Sequence, residues 1–404
     1  MIRRITLFSL ALAANAFAQG KVPDPSSTNP FAPPTTKPAA PKALAPTLDD
    51  QLKGALTPLL VKQKVPALAV ALFNREEIVA RAASGLRARG EPDSVTTADR
   101  WHIGSCTKAF TSSVIGALVD QGKLDWETTL AEALPDAAQQ MHADLKKVTL
   151  RQLLRHRAGL AAFTAGNSPD FEMLKGLPGA GVREQRAAFV AKLLSLEPVM
   201  PPDTKQFYSN ASFTVAAAIA ERVADKPYET LLQDHIFGKL ALTHAGLGWP
   251  ANPTRRDEPR GHLPGILGVR PQDFDPDYKL DPVLAPAGDI HCTIEELAAF
   301  AQAHLDALLE NEKASPAGTR SRPLFLKPHT IAELHDPVDG YAAGWAINTI
   351  KGKQRHWHNG SAGTFFALMV IIPERKIGAV AMTNSGDGEK ACVEIIETAL
   401  GLAE

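Results

Sequence analysis

The spacing of apolar positions changes along the chain and divides it. Over residues 48–64 they recur at helical spacing, with Leu52, Leu56, Leu59 and Leu60 on one side. Residues 67–73 form an unbroken apolar run of strand length, and 77–83 reads as its partner across a hairpin at 74–76. The far end mirrors this: 364–372 and 377–383 read as strands about a turn at 373–376, and 391–400 as a closing helix. The middle differs. Segments 107–121, 150–156, 183–194, 211–223, 228–237 and 294–309 carry helical spacing, and Thr293 with Glu296 forms a capping box opening the last. Long Pro- and Gly-bearing stretches separate them, especially 246–290, and no internal repeat is visible. The pattern predicts an α+β fold: an antiparallel sheet built from both ends of the chain, with a largely helical insertion.

The first residues break this pattern. Arg3 and Arg4 precede an apolar stretch at 5–14 that is too short to span a bilayer, and Ala16-Phe17-Ala18 follows. That order predicts a signal peptide over 1–18, cleaved before Gln19, and an exported (periplasmic or extracellular) protein. Residues 19–46 read as an extended Pro-rich linker, with eight prolines between 21 and 46. The folded part is expected over 47–404.

Composition narrows the partners. With 43 Lys+Arg against 44 Asp+Glu in 404 residues, the chain lacks the basic footprint that nucleic acid or an anionic membrane surface favours. No apolar run reaches transmembrane length. Three cysteines are too few for a disulfide scaffold, although Cys292 and Cys392 could pair in an oxidising compartment.

Three short motifs could carry chemistry. Ser105 and Lys108 lie three apart at the start of the 107–121 helix, so they share a face. The helix dipole favours developing negative charge at Ser105, and Phe110, Val114 and Leu118 bury the helix, which lowers the lysine pKa and makes it a plausible base. The same pair also fits a capped helix with a surface lysine. Tyr208-Ser209-Asn210 follows a double proline and opens the next long helix. A tyrosine oxygen can relay protons, and an Asn amide both donates and accepts. His358-Asn359-Gly360-Ser361 approaches a strand, where glycine admits close backbone approach and an edge N–H such as that of Ser361 can meet an oxyanion.

These motifs, in this order, resemble the serine β-lactamase and penicillin-binding-protein superfamily, nearest its class C β-lactamase-related branch. Residues 153–160, Pro286-Ala287-Gly288-Asp289 and Tyr341 to Trp345 fit the resemblance, which covers about residues 50–400. It implies a β-lactamase/transpeptidase-like fold: an antiparallel sheet flanked by N- and C-terminal helices in an α/β lobe (about 47–105 and 310–404), plus an all-α lobe (about 106–309), with the site between. It implies Ser105 as nucleophile, Lys108 as its base and Tyr208 as proton relay. Asn210, His358, Asn359 and Gly360 would contact substrate, and the backbone N–H groups of Ser105 and Ser361 would form the oxyanion hole. Neither metal nor cofactor is implied.

Two departures bear on substrate. His358-Asn359 stands where many β-lactamases have Lys-Thr, replacing a permanent charge with an imidazole expected to be mostly neutral at pH 7 and to protonate below about pH 6.5. Phe163 occupies a place where cephalosporin-hydrolysing relatives carry a polar amide. Both tilt the expectation from a dedicated β-lactamase toward an esterase or D-peptidase. The alternative is a penicillin-binding sensor that is acylated without turnover. His356 and His358 also suggest metal ligands, but strand alternation explains that pair. Cys106, beside the nucleophile, reads as buried and inert.

Overall fold

The computed structural model describes residues 45–164, 169–265, 268–274, 280–312 and 324–403. The expected signal segment and residues 19–44 of the expected linker lie outside them.

Thr47 opens helix α1 (Leu48–Gln63) with a capping box: its hydroxyl accepts from the Asp50 N–H at 3.2 Å, and the Asp50 carboxylate takes its own N–H at 3.1 Å. Strands β1 (Ala67–Asn74) and β2 (Ile78–Gly85) follow, then β3 (Arg100–His102), a 3-10 turn at Gly104–Cys106 and helix α2 (Thr107–Asp120). The helical region holds α3 (Leu130–Ala133), α4 (Pro135–Ala138), α5 (Leu150–Leu154), α6 (Val182–Leu194), α7 (Asn210–Ala224), α8 (Tyr228–Leu232) and α9 (Gly238–Leu240). Short strands β4 (Gly246–Leu247), β5 (His262–Gly265) and β6 (Gly268–Pro271) precede the one-turn helix α10 (Ala285–Gly288), β7 (Ile290–Thr293) and α11 (Ile294–Glu312). The chain ends with α12 (Pro328–Leu334), β8 (Ala346–Ile350), β9 (Lys353–Ser361), β10 (Phe366–Ile372), β11 (Ile377–Thr383) and α13 (Glu389–Leu402).

The main sheet is antiparallel in the order β2-β1-β11-β10-β9-β8. Its first and last segments meet at the centre, where β1 pairs with β11 from Leu68↔Thr383 to Asn74↔Ile377. Both faces of β1 are covered, which is why its sequence does not alternate. Leu68, Val70 and Leu72 pack with Leu52 and Leu56 of α1 and Ile395 and Ile396 of α13. Each such buried side chain contributes about 2 kcal/mol of transfer free energy. Ala69, Ala71 and Phe73 face the core shared with the helices.

Two expectations are corrected. Helix α11 was assigned to the helical lobe up to residue 309, but it packs on β1, β10 and β11, opposite α1 and α13. Gln302 Nε2 donates to the Asn74 carbonyl at 2.8 Å and fixes α11 to the β1 hairpin. Helical spacing shows that a helix has an apolar face and not which layer covers it. Cys292 and Cys392 do not pair. Both are free and buried, Cys292 in the core shared with the helices and Cys392 in the cluster on the other sheet face.

Among the described residues, no helix is long and apolar enough to cross a membrane.

Candidate active site

Ser105 lies in the 3-10 turn that leads into α2, two residues before its first residue, Thr107. Gly104 takes φ +51° there, a conformation side chains resist. Its N–H donates to His102 Nδ1 at 3.2 Å, so the His102 proton sits on Nε2, 3.2 Å from Asp289 Oδ1. The Pro286-Ala287-Gly288-Asp289 stretch therefore anchors the turn. Ser105 is half-buried, whereas Gly104, Cys106, Thr107 and Lys108 are buried. It is the motif's accessible side chain.

Lys108 is fully buried. Its Nζ lies 2.7 Å from the Ala287 carbonyl, 2.7 Å from Asn210 Oδ1 and 3.1 Å from Ser105 Oγ. Burial holds its pKa well below the ordinary lysine value. A neutral amine has two N–H groups and one lone pair. The two carbonyl oxygens can only accept, so they take both N–H groups, and the lone pair is left to the Ser105 hydroxyl. Asn210 is locked for this task, because its Nδ2 donates to the Phe163 carbonyl at 2.7 Å and so turns Oδ1 to the lysine. Each end of Asn210 thus has one protein partner, and the second N–H of Nδ2 is left over.

Tyr208 precedes α7, whose N-cap is Ser209, with Oγ accepting from the Ser212 N–H at 3.2 Å. Its phenol hydrogen-bonds the Ser105 side chain, and Lys108 Nζ lies 4.7 Å from its ring centroid. Burial raises its pKa, so it is a phenol and donates. The His156 ring packs against it, tilted by 42° with centroids 4.3 Å apart, and accepts the Ser209 N–H at Nδ1, 3.2 Å away. Sequence reading missed His156; its only signal is membership of the 153–160 stretch.

The third motif ends β9 at an open edge, as expected: residues 358–361 pair with β10 on one side, while β8 reaches only as far as Trp357 on the other. A Cβ on Gly360 would lie 1.9 Å from the Ile103 carbonyl oxygen and 2.6 Å from the Ser105 nitrogen. One on Gly104 would lie 2.6 Å from the Ser361 nitrogen. Two glycines thus bring the backbones of Ser105 and Ser361 side by side. Ser361 is exposed and Asn359 half-buried.

His358 is a correction. It is buried, its Nδ1 lies 2.5 Å from the Asn359 carbonyl and its Nε2 lies 3.0 Å from the Tyr341 hydroxyl. Nδ1 therefore carries the proton and Nε2 accepts from tyrosine. Burial, then the nearby Lys108, pushes its pKa down to about 3. It has no free nitrogen for substrate and stays neutral below pH 6.5. Phe163 is buried against Phe189 at 5.2 Å and presents only its carbonyl to Asn210.

His356 belongs to a separate buried file. Its Nδ1 lies 2.9 Å from His335 Nδ1, His335 Nε2 lies 2.9 Å from His304 Nδ1, and His304 Nε2 lies 3.2 Å from Ser113 Oγ. Cys106 is buried, with its thiol pKa raised by burial.

Residues 48–403 match a family model described as Beta-lactamase. Penicillin-binding protein 4 of Amycolatopsis lactamdurans is 27% identical over 351 residues, 85% of this chain and 87% of its own length. A beta-lactamase of Escherichia coli is 22% identical over 86% of this chain and 91% of its own. Among solved structures, a class C beta-lactamase superposes with TM-score 0.70 at 16% identity, covering 88% of this chain and 96% of that one. The D-amino acid amidase of Ochrobactrum anthropi does so with TM-score 0.67 at 20% identity, covering 88% and 99%.

Proposed function

Because this chain belongs to the Beta-lactamase family of serine hydrolases, we propose that it hydrolyses uncharged esters or amides through an acyl-enzyme on Ser105. The observation that carries the reading is the lone pair of Lys108, left to the Ser105 hydroxyl once two carbonyls hold both N–H groups. Ser105 Oγ attacks the substrate carbonyl carbon as its proton passes to Lys108 Nζ. The carbonyl oxygen becomes an oxyanion between the N–H groups of Ser105 and Ser361. The Tyr208 phenol, bonded to Ser105, carries a proton to the leaving group as the C–O or C–N bond breaks, and Lys108 replaces it. Water then attacks the acyl-enzyme with the proton moving the opposite way.

Charge selects the substrate. A carboxylate-bearing β-lactam needs a cation, and the third motif offers a neutral imidazole with both nitrogens engaged. Lys108, buried, lowered in pKa and held by the Ala287 and Asn210 oxygens, is not placed to supply one. Neutral substrates are therefore favoured over anionic ones. The basic, apolar and small-residue order of residues 1–18 supports export.

The test is a fluorophosphonate label followed by peptide mass mapping, beside turnover of a short-chain aryl ester, a chromogenic cephalosporin and a D-alanyl amide. Label on Ser105, and ester or amide turnover faster than cephalosporin turnover, is expected. Label on Ser361 or Cys106 sinks the assignment. A stoichiometric burst with no steady state would replace the hydrolase by an acylated sensor.

A further inference from the structure

Helix α10 is a single turn, so its carbonyls have few partners of their own. The Asp289 N–H takes the Ala285 carbonyl at 3.1 Å. The next two carbonyls, Pro286 and Ala287, face α2 instead. Ala287 accepts from Lys108 at 2.7 Å, and Pro286 accepts from the Thr111 hydroxyl at 2.6 Å.

Thr111 has one hydroxyl proton. It lies 2.6 Å from the Pro286 carbonyl and 3.3 Å from that of Thr107, so the proton goes to Pro286. The Tyr228 oxygen, 2.7 Å from Thr111 Oγ1, must then be the donor to it. Tyr228 is fully buried, and burial raises its pKa, so it keeps that proton. Its backbone is pinned as well: the Tyr228 N–H donates to Glu221 Oε1 at 2.9 Å, and Glu221 pairs with buried Arg186. Arg186 in turn donates to the Pro282 and Val283 carbonyls at 3.1 and 3.2 Å, on the approach to α10. At the exit, the Ile290 N–H donates to Thr107 Oγ1 at 3.1 Å.

We infer that Thr111 and Tyr228 are positioning residues: their hydroxyl pair fixes the Pro286–Ala287 backbone and so aims the Lys108 amine at Ser105. The inference rests on the Ser105–Lys108 reading above. If the Pro286 carbonyl loses its donor, the turn keeps its holds at either end but loses the one at its middle, and the Ala287 carbonyl shifts off Nζ. One N–H of the lysine then seeks another acceptor, and the lone pair no longer points at the serine.

Thr111→Val keeps the shape and removes the hydroxyl, Thr111→Ser keeps the hydroxyl, and Tyr228→Phe removes only the donor behind it. Single-turnover acylation by a p-nitrophenyl ester, KM and thermal melting are measured for each, in the full chain. We expect Thr111→Val to slow acylation by about 10–100-fold with KM within about two-fold, Thr111→Ser to stay within about three-fold of wild type, and Tyr228→Phe to lose about 3–10-fold. A second readout needs no turnover. In Ser105→Ala protein, the 13C-labelled ε-carbon of Lys108 is followed against pH. The titratable groups around it (Cys106, Tyr208, His156 and His358) are all held neutral by burial. The Ala287 carbonyl favours the ammonium form, so adding Thr111→Val should lower the Lys108 midpoint by about half a pH unit or more, and adding Thr111→Ser should leave it. Wild-type acylation in Thr111→Val, serine as slow as valine, or an unmoved midpoint overturns the inference. If Thr111→Val fails to fold, Tyr228→Phe decides by the same measurements. Absence of Ser105 acylation in wild type would sink the proposed function, while the Lys108 titration would still decide the clamp.

Discussion

The proposed role of Lys108 as base has a pH signature. Acylation needs the neutral amine, and burial holds its folded pKa well below the ordinary value. Activity on a neutral ester is therefore expected to fall as pH drops through that lowered pKa, well below the ordinary lysine range. An acid limb near the ordinary lysine value of about 10.4 would contradict it. Tyr208 and Lys108 both bond Ser105 and should act as one unit. Tyr208→Phe and Lys108→Met are each expected to remove most of kcat, and the double variant little more; losses that add in log rate would argue for independent roles. His358 behaves oppositely to an exposed histidine. With its pKa near 3, the ratio of kcat/KM for a matched anionic and neutral ester pair should stay flat from about pH 5.5 to 8. A ratio rising below about pH 6.5 would show the imidazole reaching solvent. That Ser105, Lys108 and Asn210 come together was legible through the family resemblance that their motifs carry, not from spacing alone. Their partners Ala287 and Phe163 were not, since every residue carries a carbonyl and none announces which one will face inward.

At the level of elements, the site depends on two backbones touching. The turn before α2 and the end of β9 approach through Gly104 and Gly360, and a methyl on Gly360 would stand 1.9 Å from the Ile103 oxygen. Gly360→Ala should push β9 off the turn and separate the Ser105 and Ser361 N–H groups. We expect kcat to drop by about 10²-fold or more, the scale of a lost oxyanion donor, with the fold retained by circular dichroism. Wild-type kcat would show that the two strands of chain do not act together. Four of the six strands of the main sheet (β1, β2, β10 and β11) and the long helices were legible from the apolar pattern, down to Ile377–Thr383, whereas β8 and β9, which between them carry polar residues at most positions, were not. Strands β4 to β7 were not: at two to four residues each, they are too short to show alternation within the Pro- and Gly-bearing stretch. The layer of α11 escaped for a different reason, because its apolar face would suit a helix or a sheet equally.

For the molecule as a whole, buried histidines set the acid limit. Burial pushes His304 to about 3 and His262, His291 and His356 to about 4. Unfolded, each would titrate near 6.5. Between those values the unfolded chain binds protons that the folded one refuses, so stability is lost as pH falls below about 6.5 and toward 4. One such histidine costs about 2 kcal/mol at pH 5, so the urea midpoint should be clearly lower at pH 5 than at pH 7. An unchanged midpoint would mean that these rings take up protons without leaving their places. The pairing of β1 with β11 acts on a different clock. Thr383 Oγ1 bonds the Ala67 carbonyl across 316 residues, so β1 waits for that intervening stretch to be made before its neighbour β11 exists. Until then an all-apolar strand offers an open edge, and folding is held back by the order of manufacture as well as by loop entropy. A chain halted after Lys376 would keep that edge open for good, and belongs in the insoluble fraction.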